Sequence, residues 1–95
     1  MFIIELTYKK TLHEVDKFLE AHRAFLQKYY DQGVFVASGP KNPRDGGVII
    51  ALADKESIEA LVKEDPFYQN DTADYRFIQF EAVKYCDEFK SLFRK

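Results

Sequence analysis

Residues 2–32, FIIELTYKKTLHEVDKFLEAHRAFLQKYYDQ, change their apolar period once, and that change decides the fold. Over residues 2–9, Phe2, Ile4, Leu6 and Tyr8 alternate with Ile3, Glu5, Thr7 and Lys9. A period of two, rich in β-branched and aromatic residues, reads as a strand. From Thr11 the period lengthens: Leu12, Val15, Phe18, Leu19, His22, Phe25, Leu26 and Tyr29 recur at three- and four-residue steps. That spacing predicts one long amphipathic helix running to about Tyr30 or Gln32. Thr11 with Glu14 three residues on forms a capping box, and Gly33 supplies the stop.

The same reading extends to the rest of the chain. Residues 34–37 (VFVA) form a short β run closed by a Ser38-Gly39-Pro40 turn, and residues 41–47, with Pro43 and Gly46-Gly47, form a loop. Residues 48–53 (VIIALA) have no polar alternation, so a central strand covered on both faces is expected. Asp54 caps a second helix whose buried stripe is Ile58, Leu61 and Val62, and Pro66 ends it. Residues 68–74 (YQNDTAD) are a polar loop, residues 75–85 the last strand, and a short charged helix starts at about Asp87. The order β-α-β-β-α-β plus a C-terminal helix predicts one α+β, ferredoxin-like domain over residues 1–95, with one antiparallel sheet and both helices on one face. The halves 2–39 and 48–84 repeat the architecture without alignable sequence.

Composition narrows the function classes. Nine Phe and six Tyr exceed what one small core needs, so a ligand pocket or a self-association surface is expected. With helices on one face only, the other sheet face would carry part of that surplus, which predicts a homodimer. A net charge of -2 from interspersed charges offers no basic stripe, and residues 48–53 lack the basic-aromatic pattern of RNA-binding sheets, so nucleic acid is not an expected partner. One cysteine, Cys86, fits a reducing compartment. The N-terminal apolar run is too short to span a bilayer and no basic segment precedes it. The expectation is a cytoplasmic chain, unprocessed from residue 1, with no membrane partner.

His22 is the residue with the most chemistry. An imidazole in register with Val15, Leu19, Leu26 and Tyr29 must find a partner or line a pocket. It is either a buried neutral histidine bonded to a backbone carbonyl or a general acid or base, and the latter needs an acceptor for its second ring nitrogen. Asp65 is the candidate acceptor, because the end of the second helix can approach the middle of the first. Its structural alternative is a turn residue ahead of Pro66. Ser38 at a strand end is a candidate for hydrogen-bonding substrate or His22, while Gly39 and Pro40 read as turn residues. His13-Glu14-Val15-Asp16 reads as a solvated helix start rather than a metal site. Cys86, beside two acids, is not an activated thiolate. Gly46-Gly47 lacks the following helix of a phosphate loop.

Together, EAHRAFLQKYYDQG around His22, VASGP at 36–40, GGVIIA at 46–51 and EDPF at 64–67 resemble the YCII-related family of small bacterial proteins, over nearly the whole chain. The resemblance implies a ferredoxin-like fold assembled as dimeric α+β barrels, with a His-Asp pair in a cleft. By position, the helix histidine is His22, the aspartate of the DPF segment is Asp65, and the serine of SGP is Ser38. Arg44 and Asp45 have no role in that pattern and are candidates for the cleft mouth. The expected function is an acid–base enzyme without metal or cofactor, of lyase, isomerase or hydrolytic type, acting on a small organic substrate. His22 and Asp65 would be catalytic, and Ser38, with the backbone of Gly39 and Pro40, would bind substrate. The alternative is a non-catalytic, ligand-binding or stress-associated dimeric module.

Overall fold

The computed structural model describes residues 1–93. Four antiparallel strands, β1 (Phe2–Tyr8), β2 (Phe35–Pro40), β3 (Gly46–Ala51) and β4 (Ala73–Gln79), form one sheet in the order β2-β3-β1-β4. The helices are α1 (Leu12–Asp16), α2 (Leu19–Asp31), α3 (Lys55–Leu61), α4 (Pro66–Gln69) and α5 (Asp87–Lys90). This is the α+β, ferredoxin-like arrangement expected of the element order.

The core lies between the sheet and the helices. Phe2, Ile4 and Leu6 of β1 meet Phe25 and Tyr29 of α2 and Ile58 and Leu61 of α3, all buried. Each such side chain contributes about 1.5–3 kcal/mol on leaving water. On β1, Ile3, Glu5 and Thr7 point to the other side, as the period of two requires. There, strand register aligns Ala37, Ile50, Ile3 and Ile78 in an aliphatic row, and beside it Val48, Glu5 and Arg76. Glu5 is flanked by Lys41 at 3.3 Å and Arg76 at 3.7 Å. The β4 aromatics Tyr75 and Phe77 pair with Leu6 and Ile4 and so face the helices. The open face within the sheet is therefore aliphatic and charged, and of the aromatic surplus expected there Phe80, paired with Met1 just past β4, extends it.

Several boundaries differ from expectation, each for a local reason. The long first helix breaks at Lys17–Phe18, where Phe18 N–H bonds the Val15 carbonyl at 3.0 Å in a tight turn before α2 begins. The break lets α1 bury Val15 while α2 sets its own stripe of His22, Phe25 and Tyr29. Ser38, Gly39 and Pro40 do not close β2 but belong to it. β2 is an edge strand, so the missing N–H of Pro40 costs no ladder bond. β2 also shifts register between Phe35 and Ala37.

Gly46 and Gly47 open β3 rather than lying in a loop. A Cβ on Gly46 would stand 1.8 Å from the Leu6 carbonyl oxygen, so β1 and β3 meet at a distance only glycine permits. β3 ends at Ala51, two residues early, and is buried on one face and half-buried on the other. Pro66 does not end the second helix. α3 passes into a 3-10 turn over Val62–Glu64, and Pro66 then opens α4 at the position where a missing N–H is harmless. The last strand runs Ala73–Gln79 rather than 75–85, because its partner β1 begins at Phe2 and the final backbone bonds join Met1 and Phe80. α5 starts at Asp87, as expected.

Candidate active site

The break between α3 and α4 builds one side of the site. Asp65 leaves the helical region (φ -69, ψ 124) as the residue before proline must, and its carboxylate caps α4 by accepting Phe67 N–H at 3.0 Å. Thr72 closes the same turn, its N–H and hydroxyl both donating to the Phe67 carbonyl at 2.9 Å. α2 supplies the other side. His22 lies on its buried stripe and donates Nδ1–H to Asp65 Oδ1 at 2.8 Å.

Asp65 is completely buried, so each of its lone pairs matters. Oδ1 takes Phe67 N–H and His22, and Oδ2 takes the Tyr75 hydroxyl at 2.5 Å. Burial, then the Asp65 carboxylate, push the Tyr75 hydroxyl far above the usual phenol range, so it stays a donor. The imidazole is fixed twice, in its plane by Asp65 and across its face by Phe67, whose ring stacks at 4.0 Å and 11°. Tyr8 holds Phe67 edge-on at 5.9 Å. The carboxylate requires the proton on Nδ1, which leaves Nε2 as the free ring position. Nε2 has no partner among the described residues and is not sealed, since no buried side-chain polar atom there lacks a hydrogen bond.

His22 borders a cavity of about 410 Å³ with apolar walls that include Leu6, Leu19, Leu26, Ile49 and Phe67. That volume lies within the range of small-molecule sites. Gly39 and Pro40 line it. Ser38 does not; its hydroxyl exchanges a 2.6 Å hydrogen bond with the Tyr30 hydroxyl instead. Arg44 reaches the cavity from the loop after β2, held by Asp16 at 2.6 Å and lying 5.9 Å over the Tyr8 ring. The Asp45 side chain is not part of the lining, though its carbonyl accepts Tyr8 N–H. Asp16, weighed above beside His13, thus serves Arg44. Among the described residues no three His, Cys, Asp or Glu side chains converge as metal ligands.

Sequence reasoning paired His22 with Asp65 but missed Tyr75, Phe67 and Arg23, which also lines the cavity from α2. Tyr75 carried a signal in retrospect, since it sits on the same side of its strand as Phe77, away from the charged positions Asp74 and Arg76. Its partnership with Asp65 depends on strand order, which spacing does not reveal.

The model of the YCII-related domain matches residues 1–81. The chain belongs to that family. No curated protein matches it at a significant level. A solved structure similar to this YCII-related domain is 5-chloro-2-hydroxyhydroquinone dehydrochlorinase (TftG) from Burkholderia phenoliruptrix AC1100, in complex with 2,5-dihydroxybenzoquinone. The two share 17% identity with a TM-score of 0.72, over 84% of this chain and 92% of the other. At that identity the likeness speaks for the fold. Among the described residues no helix is long and apolar enough to cross a membrane.

Proposed function

We propose that this YCII-related domain is an enzyme that moves protons on a small organic molecule, with His22 as the group that gives and takes them. The observation that carries the reading is the buried Asp65 carboxylate, bonded to three donors, that fixes through Nδ1 an imidazole lining an apolar cavity and leaves Nε2 free. Nε2 accepts a proton from substrate carbon or hydroxyl, and Asp65 stabilises the imidazolium that results. In an elimination, the electron pair of the broken C–H bond becomes the new π bond as the leaving group departs, and His22 passes its proton to water. A dehydrochlorinase shares the fold, which favours elimination over isomerisation or hydrolysis.

The test is chloride release from a panel of chlorinated hydroquinones, enols and β-halo carbonyl compounds. His22→Ala is expected to lower turnover by roughly a hundred- to ten-thousand-fold while leaving the circular dichroism spectrum intact. Turnover that survives the substitution overturns the reading. So does a wild-type protein that binds panel members and converts none, and it would then be a binding module.

We also propose that a second copy covers the open sheet face, where the row of Ala37, Ile50, Ile3 and Ile78 lies without helices over it. Sedimentation at micromolar concentration is expected to show a dimer that Ile50→Glu dissociates. A wild-type monomer would contradict it.

A further inference from the structure

The charge around the cavity has one sign. Among the described residues, His22, Arg23 and Arg44 are its only ionisable-nitrogen side chains, and no aspartate or glutamate lines it. Asp65 lies behind the imidazole, bonded to three donors and outside the lining, and Asp16 is also outside it, tied to Arg44. Arg23, next to His22 on α2, makes no hydrogen bond or ion pair with any described residue. It is an exposed cation at the edge of an apolar hollow, and such a charge attracts an anion more strongly than it would on an open surface. Arg44 differs: Asp16 takes one position on its guanidinium and the Tyr8 ring lies 5.9 Å from it, which leaves further N–H donors.

We propose that the cavity selects small, mainly apolar molecules bearing a delocalised oxyanion (a carboxylate or a phenolate), with Arg23 as the anion anchor and Arg44 as a pre-positioned second donor. The guanidinium fork matches two oxygens sharing one charge better than an ammonium does. The apolar walls take the rest of the molecule. Anchoring the oxyanion fixes which atom faces His22 Nε2. The inference rests on the cavity being the substrate site, as in the reading above.

Calorimetric titration of the full chain with matched pairs tests it: benzoate against benzamide, and 4-nitrophenolate against 4-nitroanisole. Each anion is expected to bind about tenfold or more tighter than its neutral counterpart, the range for a hydrogen bond to a charged group. Arg23→Gln should remove that preference, Arg23→Lys restore part of it, and Arg44→Gln reduce it. A preference confined to one pair supports the proposal and names the oxyanion. Equal binding within both pairs, no binding of any probe, or an undiminished preference in Arg23→Gln overturns it. His22→Ala keeps the two claims apart. A lost anion preference with His22-dependent turnover intact sinks only this inference. An intact preference with turnover surviving His22→Ala sinks only the acid–base reading.

Discussion

The two βαβ halves solve the same packing problem with different helices. The first breaks its crossover once, into α1 and the thirteen-residue α2, and presents His22 from inside α2, one turn past its start. The second breaks its crossover into α3, a 3-10 turn and α4, and presents Asp65 from the break. A residue within a helix has its side chain aimed by the helix, but its polar tip must find a partner elsewhere. A helix start brings its own donors, here Phe67 N–H, and holds a carboxylate that would otherwise be too costly to bury. The difference teaches that the two members of one hydrogen bond need not carry equal structural weight: Asp65 holds its own half together, whereas His22 is held by the other half.

Unfolding titrations of three variants can break that asymmetry. Asp65→Ala should cost most, about 3 kcal/mol or more, because it strips the α4 cap and leaves Tyr75, His22 and Phe67 N–H without their acceptor. Tyr75→Phe should come next, at about 1–3 kcal/mol, since it orphans only Asp65 Oδ2. His22→Ala should cost least, because water from the cavity can replace the ring and Asp65 keeps its other two donors. If His22→Ala proves as damaging as Asp65→Ala, the halves are not unequal in this way.

A smaller effect sharpens the comparison at the other contact between the helices. Glu64 accepts Lys28 at 2.7 Å and the Tyr29 hydroxyl at 2.6 Å, and these bonds hold its carboxyl below the usual range. A depressed folded-state pKa contributes stability that is present above the unfolded value and lost as pH falls through the folded one. The pair is half exposed, so the contribution is small. Glu64→Gln should therefore lower the melting temperature slightly at neutral pH and not at all in strong acid. An equal loss at both pH values would contradict the assignment.

Much of this was legible in the residues, and what was not has common causes. The period change after Tyr8 placed β1 and the first helix, and the register of His22 with Val15 and Tyr29 placed its ring toward the sheet, because local periodicity is enforced by burial. Asp65 was legible as an acceptor for His22 and as a residue ahead of proline, whereas its cap on α4 was not, because Pro66 read as a stop. The ends of β2 and β3 were not, since Pro40, Gly46 and Gly47 read as breakers. Pro40 is tolerated on an edge strand, and Gly46 is required where Leu6 comes close, and neither condition is local. Tyr75 meets Asp65 through strand order and Arg44 reaches the cavity through the path of its loop, and no single stretch encodes either.

The hydrogen bond that orients the imidazole joins residues 43 positions apart. During synthesis the histidine waits for its counterpart until Asp65 has left the ribosome, and Tyr75 joins them only ten positions later. An unfinished or clipped product that ends short of the DPF segment thus carries the imidazole without the carboxylate that orients it, however well its leading portion collapses.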